Sequence, residues 1–452
     1  MSSFWLDSIA QHRVKREPLE QDIEVDVAIV GGGYSGLWTA YYLKLFQPDL
    51  RIAIIESDHV GFGASGRNGG WCSGFLPMTL SELDRAHGRD AAINMYRESF
   101  RTLDEIESVL AKEDIDCDYH RGGTIRGATN VVQQIRVVDE VAELRSYGFS
   151  ESDLRLLTTD DCKSRINLQG LLASSYTPHC AVIHPAKLAI GLAQAVENRG
   201  VKIYENSRVT KITSRRVELQ DITVRCQIVV RATEGFTSQL KQHRRTLAPL
   251  YSYMVVTEPL SDSQRAEIGW HNRETYHDAR NMIIYVQITK DGRIAFGGRG
   301  APYHFGSSVK PAFDNHSVIH QRIVESMHQV FPITKSLEIS RRWGGPLGVP
   351  RNWQPSVNFD RATGLASLGG YVGDGVAATN LAARTLAHLV ISDSHPLTKL
   401  PWVNNSSRKW ELEPMRYFGI NGLLKLSTGI DKHEGTTNTP DKVRTKILDM
   451  FL

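Results

Sequence analysis

The sequence predicts an α/β fold (α+β overall), in which a domain built on a parallel sheet is joined to a domain built on an antiparallel sheet. A short apolar segment at 25–30 leads directly into a GxGxxG pattern at 31–36 and then into a helical pattern. This order is typical of a buried parallel strand, a tight turn and a helix. Segments at 250–257, 282–289 and 293–298, with an Asp-Gly pair at 291–292, instead predict antiparallel strands, the last two joined by a hairpin turn.

Length and composition are those of an ordinary globular enzyme. The chain has 452 residues, enough for two or three domains, and 41% of them are hydrophobic. A net charge of +3 and the lack of a long basic segment predict no nucleic-acid binding. No apolar stretch approaches the roughly 18 residues of a membrane span, and the polar N-terminal segment has no signal-peptide core.

The cysteines and histidines predict neither disulfides nor a metal site. No cysteine belongs to a CxxC pair, which favours a reducing compartment and therefore the cytoplasm. His179, Cys180 and His184 are the best candidate metal ligands, but we expect no metal there, because they flank a strand-to-helix connection. The five cysteines are Cys72, Cys117, Cys162, Cys180 and Cys226.

The first turn predicts an adenine dinucleotide site. Gly31 permits the tight turn, Gly33 lets the backbone approach a diphosphate, and Gly36 lets the helix pack on the strand. Tyr34 and Ser35 begin the helix, whose N-terminus attracts phosphate. A second strand at 51–55 ends in Glu56, followed by Ser57, and an acid at this position can accept hydrogen bonds from an adenosine ribose.

The glycine-rich segment GFGASGRNGG at 61–70 favours FAD over a nicotinamide coenzyme. Glycines let the backbone lie closely along an extended ligand, whereas simple nicotinamide enzymes go directly from the acid into a helix. Arg67 and Asn68 are candidates for the pyrophosphate or the flavin ring. A flexible surface loop is the alternative interpretation. The other candidate cofactor-binding residues of the segment are Gly63, Ala64, Ser65, Gly69 and Gly70.

GGGYSGL at 31–37 and GFGASGRNGG together resemble the D-amino-acid-oxidase-type (DAO) family of FAD-dependent oxidoreductases, and within it the gamma-glutamylputrescine oxidase-like branch. IDCDYHRGG at 115–123, HPAKLAIGLAQAVENRGVKIYENSRV at 184–209 and GYVGDGVAATNLAARTLAHLV at 370–390 resemble later segments of that branch. The resemblance implies a Rossmann-like FAD-binding domain and an antiparallel-sheet substrate domain, in the glutathione-reductase-type or DAO-type fold.

The domain ranges follow from these segments. We expect an N-terminal arm at 1–24 and a C-terminal surface segment at 396–452. The remaining ranges are 25–90, 171–240 and 336–395 for a discontinuous FAD-binding domain, and 91–170 and 241–335 for the substrate domain.

Two further turns are expected to contact FAD. The first contains Val209 and the Ala232 and Thr233 that follow a strand-like segment at 222–230. The second precedes a helix whose N-terminus, in the family, faces the flavin pyrimidine. Its Asp374 could attract a cationic amine or cap the helix, and Ala377 replaces a carboxylate-binding lysine of sarcosine-type relatives. The residues expected there are Gly373, Asp374, Gly375, Val376 and Ala377.

Four aromatic residues are candidates for the catalytic face, although core packing is the alternative for each. Sarcosine-type relatives tether flavin through a cysteine near the position of Trp343, and none stands here, so we expect non-covalent FAD. Arg299, Arg341 and Arg342 are candidates for an anionic substrate group, with surface solvation as the alternative. The aromatic candidates are Trp71, Tyr253, Tyr285 and Trp343.

The resemblance implies oxidation of an amine at its C–N bond, by hydride transfer to flavin N5. The product is an imine, which hydrolyses to an aldehyde, and O2 is reduced to H2O2. A gamma-glutamylated or other polyamine is the expected substrate. The alternatives are an amine, imino-acid or aminophosphonate dehydrogenase with a non-oxygen acceptor, a protein that binds FAD without turnover, and a nicotinamide enzyme.

Overall fold

The computed structural model describes residues 2–391 and 394–450. The side chain of Arg299, one of the candidates for an anionic substrate group, lies outside the described part. No helix within the described ranges has the length and apolar character needed to cross a bilayer. The same ranges contain no group of three or more His, Cys, Asp or Glu side chains arranged to hold a metal ion.

The helices and strands alternate along most of the chain. The α-helices are α1 Phe4–Ser8, α2 Tyr34–Phe46, α3 Leu80–His87, α4 Arg89–Lys112, α5 Val131–Ser146, α6 Thr159–Lys163, α7 Pro185–Glu197, α8 Asp262–Ile268, α9 Ser317–Val330, α10 Gly375–Ile391, α11 Met415–Thr437 and α12 Lys442–Asp449. The strands are β1 Ile23–Glu24, β2 Val27–Val30, β3 Ile52–Ile55, β4 Trp71–Ser73, β5 Thr124–Ala128, β6 Arg155–Leu157, β7 Ala173–Thr177, β8 Cys180–Val182, β9 Lys202–Tyr204, β10 Lys211–Thr213, β11 Arg216–Glu218, β12 Thr223–Arg225, β13 Ile228–Arg231, β14 Ala248–Thr257, β15 Thr275–Asp278, β16 Ile284–Ile288, β17 Ile294–Tyr303, β18 Ile339–Val349, β19 Ser356–Asp360 and β20 Leu365–Gly369.

A six-stranded sheet in the order β19-β20-β13-β2-β3-β9 carries the glycine turn. Its strands are parallel except β19. Strand β2 is buried on both faces, as its apolar run predicts. Val27 and Ile29 pack among side chains of α2 and α10, whereas Ala28 and Val30 pack against a four-stranded sheet in the order β1-β12-β11-β10. The parallel sheet therefore lies between a helical layer and a small second sheet.

An eight-stranded sheet in the order β18-β14-β17-β16-β15-β5-β7-β6 forms the second half of the molecule. Neighbouring strands are antiparallel except β15 and β5. One face packs on α9 through an apolar cluster that includes Tyr251, Tyr253 and Val255. The opposite face carries the alternate side chains, and part of it lines a cavity.

Strand pairing differs in places from the sequence expectations. Strands β7 and β18 pair within the eight-stranded sheet, although their residues fall in ranges expected for the FAD-binding domain. The segment 222–230 is two strands, because the chain leaves the four-stranded sheet after Arg225 and enters the six-stranded sheet at Ile228. Within the expected surface segment, α11 packs on β17, and Asn421 accepts a hydrogen bond from the backbone N–H of Tyr303.

Gly31 stands where two backbone segments approach each other closely. Its φ is +114°, and a Cβ there would lie 2.4 Å from the carbonyl oxygen of Ala232. A Cβ on Gly36 would lie 2.0 Å from the carbonyl oxygen of Gly31, so this glycine lets α2 pack on the turn. Both positions exclude a side chain for steric reasons.

We predict that Gly31→Ala destabilises the protein by about 3 kcal/mol or more, because it combines a left-handed backbone with a clash against Ala232. Gly200→Ala is the matched control, since Gly200 has φ +81° but no atom within 4 Å of a Cβ. The control should cost only about 1 kcal/mol. Urea denaturation of both variants measures the difference, and equal losses would contradict the steric explanation.

Candidate active site

Two adjoining cavities occupy the region between the glycine turn and the eight-stranded sheet. The first, here called the dinucleotide cavity, has a volume of about 150 Å³ and begins at Gly31. The second, the sheet cavity, has a volume of about 400 Å³ and is lined on one side by the eight-stranded sheet. The residues that line both are Ala64, Asn68, Leu347, Gly373 and Val376. A long ligand can therefore extend from one cavity into the other.

Glu56 lies at the end of the dinucleotide cavity where β3 stops. One carboxylate oxygen accepts from the backbone N–H of Gly32 at 2.7 Å, and the other accepts from the N–H of Asp58 at 2.9 Å. Burial raises the pKa of this carboxyl above its ordinary value. The two backbone donors fix the carboxylate where a ribose would meet it.

The start of α2 faces the same cavity. Gly33 caps the helix, and Ser65 from the glycine-rich loop accepts from the backbone N–H of Tyr34 at 2.9 Å. A Cβ on Gly33 would lie 2.9 Å from that serine oxygen. The loop thus lies directly over the helix start, where backbone N–H groups and the helix dipole favour a diphosphate. These residues fit the FAD that the sequence resemblance implies.

The side chains of Arg67 and Asn68 form hydrogen bonds with other groups of the protein. Arg67 donates to Asp314 at 2.5 Å, to the carbonyl of Gly344 at 3.1 Å and to the carbonyl of Phe62 at 2.8 Å. Asn68 accepts from the backbone N–H of Gly70 at 2.7 Å. Both residues line the sheet cavity, and their polar groups hold the loop in shape.

Glu234 lines the dinucleotide cavity and joins the ends of two strands. It follows β13, and its carboxylate accepts from the backbone N–H of Gly370, just after β20, at 2.9 Å. Burial raises its pKa to about 7, because desolvation of the carboxylate outweighs the backbone hydrogen bonds and the nearby Arg231. This acid was not among the residues expected from the sequence.

One row of side chains across the eight-stranded sheet lies along the wall of the sheet cavity. Arg126 on β5 pairs with Ser175 on β7 and with His277 on β15, and His277 in turn pairs with Tyr285 on β16. The row continues to Met254 on β14. Paired residues of neighbouring strands point to the same face, so these five side chains face the cavity together.

Tyr285 is held in a slot between two glycines. A Cβ on Gly297 would lie 2.2 Å from its ring, and a Cβ on Gly69 would lie 2.8 Å from it. The Tyr285 hydroxyl is 2.6 Å from that of Ser252. Ring and hydroxyl are therefore both fixed at the cavity wall.

The wall of the sheet cavity also carries polar atoms that have no hydrogen-bond partner among the described residues. They are Trp71 Nε1, Arg126 Nε and Ser175 Oγ. Arg126 donates through another nitrogen to Glu140 on α5 at 2.6 Å. Buried donors without partners are uncommon in folded proteins, so atoms like these suit a ligand or an ordered water that accepts from them.

Most candidate residues from the sequence lie at the cavities, and a few do not. Trp71, Tyr285, Arg67, Gly69 and Asp374 line the sheet cavity. The dinucleotide cavity is lined by Gly31, Gly33, Tyr34, Ser35, Glu56, Ser57, Gly63, Ala64, Ser65, Asn68, Val209, Ala232, Thr233, Gly373, Gly375 and Val376.

Five candidates lie elsewhere in the structure. Tyr253 packs on the opposite sheet face, where its hydroxyl donates to the carbonyl of Phe313. Trp343 lies under α1 and donates to the carbonyl of Arg67. Ala377 is in the helical core, because it faces away from the cavities on α10. Gly36 and Gly70 make close backbone contacts instead, Gly70 beside the carbonyl of Ile183.

Two of the three arginines considered for an anionic substrate group, Arg341 and Arg342, lie away from the cavity. Arg341 is paired with Asp7 of α1, and Arg342 is exposed.

The sequence reasoning missed Arg126 and Ser175, because it did not identify β5 and β7 as strands. The available signal was the alternation of Thr124 and Arg126 with apolar or small residues.

We predict that Glu234 makes the protein less stable as the pH rises from 4.5 to about 7. The unfolded chain releases this proton at about 4.5, whereas the folded protein keeps it up to about 7, so folding is favoured less above 4.5. The stability of Glu234→Gln relative to the wild type should therefore rise across this window. Urea denaturation at several pH values measures it, with Glu20→Gln, at an exposed glutamate, as the control. A constant difference between Glu234→Gln and the wild type would contradict the assignment.

Comparison with known proteins identifies the family of the chain. The model of the family described as FAD dependent oxidoreductase (DAO) matches residues 26–389. The chain is 28% identical over 408 residues to the probable oxidoreductase OrdL of Haemophilus influenzae, covering 88% of this chain and 89% of that protein. It is 29% identical over 385 residues to gamma-glutamylputrescine oxidoreductase of Escherichia coli, covering 84% and 86%.

The fold is shared with a solved oxidase. The crystal structure of glycine oxidase from Geobacillus kaustophilus aligns with a TM-score of 0.71 at 18% identity, covering 85% of this chain and 100% of that one. The family match covers the glycine turn, the glycine-rich loop and most of α10. The chain belongs to the DAO family of FAD-dependent oxidoreductases.

Proposed function

We propose that this FAD-dependent enzyme oxidises an amine at its C–N bond, and that the substrate is a gamma-glutamylated or other polyamine. The observation that carries the proposal is the junction of the two cavities at Ala64, Asn68 and Gly373. A substrate in the sheet cavity would lie beside a cofactor in the dinucleotide cavity. Similarity to gamma-glutamylputrescine oxidoreductase supports the choice of substrate.

Different residues of the chain would bind the ribose, the diphosphate and the ring of the cofactor. Glu56 would accept from the ribose hydroxyls, and the N-terminus of α2 would face the diphosphate. The N-terminus of α10, which follows Gly373 and Asp374, would stabilise negative charge on the ring. Bound FAD supplies the hydride acceptor for the carbon that carries the nitrogen.

The side chains of the sheet cavity would position the amine. Tyr285 cannot move far, because Gly69 and Gly297 enclose its ring. Trp71 lies edge-on to His277 at 5.6 Å between ring centroids and closes the adjoining wall. Asp374, also at the wall, would attract a cationic amine or cap α10. Fixed walls of this kind favour a reactive orientation of the bound substrate.

We further propose that FAD is bound without a covalent link through cysteine and that the protein is cytoplasmic. The five cysteines are free and buried, and none lines the dinucleotide cavity or the sheet cavity. Denaturation followed by ultrafiltration tests whether FAD is bound non-covalently, since a released flavin passes through the filter while the protein is retained.

We predict that anaerobic addition of the right amine bleaches the visible flavin absorbance of the purified protein. The screen contains polyamines, gamma-glutamylated amines, N-methyl amino acids and aminophosphonates. N-acetylated forms of the active amines are the control, since the nitrogen lone pair of an amide is delocalised into the carbonyl group and cannot drive hydride loss. If none of these amines reduces the flavin, the proposed function is wrong.

The same amines in air identify the electron acceptor. We expect H2O2 in an amount equal to the aldehyde formed, because O2 is the proposed acceptor. Turnover with an artificial dye but not with O2 would instead indicate a dehydrogenase. This comparison tests the acceptor separately from the oxidation of the amine.

We predict that Gly297→Ala slows flavin reduction by the active amine at least roughly tenfold, because small misplacements in a reactive site cost large factors in rate. The new Cβ would occupy the space of the Tyr285 ring, which must then shift. Gly298→Ala is the control, since the nearest atom to a Cβ there is 3.8 Å away. Stopped-flow measurement of flavin reduction compares the two, and equal rates would contradict the role of Tyr285.

A further inference from the structure

Arg126 lies at the end of the sheet cavity that is remote from the cofactor junction. It is the central residue of β5, whereas Leu347, which lines both cavities, is on β18. The two strands are five positions apart in the sheet. At about 4.8 Å between strands, they are separated by about 24 Å measured along the sheet.

The hydrogen bonding of Arg126 is incomplete. Its Nη1 donates to Glu140 at 2.6 Å, but its Nε is buried and has no partner among the described residues. A guanidinium group can only donate, so the missing partner must be an acceptor. Leaving such a buried donor unpaired is unfavourable, and a bound ligand that accepts from it removes this cost.

Ser175 adds a second group beside Arg126. It is 1% exposed, its hydroxyl has no partner among the described residues, and the strand register places it directly opposite Arg126. Both side chains line the cavity. An N–H and an O–H on paired residues suit a ligand with two acceptor oxygens on one atom, which is the geometry of a carboxylate.

We propose that Arg126, together with Ser175, binds a carboxylate that the substrate carries at the end remote from the reacting C–N bond. The inference rests on the proposed amine oxidation and narrows its substrate class. The substrate is an elongated amine with an acidic group at the far end, such as an amine acylated by a dicarboxylic or acidic amino acid. Plain polyamines lack that group and bind less well.

The carboxylate site can be tested without turnover by measuring the binding of two probes that contain no amine. N-butylglutaramic acid carries a carboxylate, and N-butylbutyramide is a neutral counterpart; neither has an amine to oxidise. We expect the holoenzyme to bind the acid roughly 10- to 100-fold more tightly, as for hydrogen bonds to a charged group. Isothermal titration calorimetry measures both affinities.

Variants assign that preference to the proposed residues. Arg126→Gln should abolish the preference for the acid, and Ser175→Ala should reduce it by a smaller factor. Arg101→Gln is the matched control, because Arg101 also pairs with a glutamate, at 2.8 Å from Glu98, but is exposed on α4. It should keep the full preference. Flavin content and circular dichroism show whether each variant is folded. If Arg126→Gln does not fold, Ser175→Ala still tests the site.

The outcomes separate this inference from the proposed function. Equal affinity of the wild type for the two probes, or a preference that survives both Arg126→Gln and Ser175→Ala, would overturn the carboxylate site. If the acid binds through Arg126 while no amine bleaches the flavin, the site stands and the proposed function fails. If amines bleach the flavin but the acid has no advantage, the proposed function stands and the site fails.

Discussion

The buried ion pair between Arg67 and Asp314 ties the glycine-rich loop to the segment that precedes α9, beside the antiparallel sheet, and the arrangement of both cavities depends on it. The two side chains are 5% and 8% exposed, and 2.5 Å separates Nη1 from Oδ2. The same guanidinium donates to the carbonyl of Gly344 on β18. Removing one member of a buried pair typically costs about 3–5 kcal/mol, so the loop is strongly held.

The loop also ties the N-terminal segment and α2 to the same place. Ser3 donates to the carbonyl of Gly66 at 2.5 Å, and Trp5 donates to that of Asn68 at 2.8 Å. On the other side, Ser65 accepts from the first backbone N–H of α2. Because the loop is fixed at both faces, its Ala64 and Asn68 can form the wall that the two cavities share.

The sequence was sufficient for the parts of the site that depend on local backbone conformation. The turn at Gly31, the start of α2 and Glu56 follow one another within 26 residues. Each has residues that suit one part of a dinucleotide, so the local sequence alone predicts them. The catalytic candidates were harder to place. Tyr253 and Met254 alternate on β14, but both faces of that strand are covered, so period-two alternation does not indicate which face meets the cavity.

Arg126 and Ser175 show why strand pairing was needed for the rest. They are 49 positions apart in the chain, and only the register of β5 with β7 places them opposite each other. Each strand taken alone is short, and its polar residues suit an exposed edge as well as a cavity. Once the strands are paired, the hydroxyl of Ser175 and the guanidinium of Arg126 lie on one wall of the cavity. A wall of apolar side chains would instead give no preference for an acidic ligand over a neutral one. The specificity of the site is therefore a property of the pairing between strands.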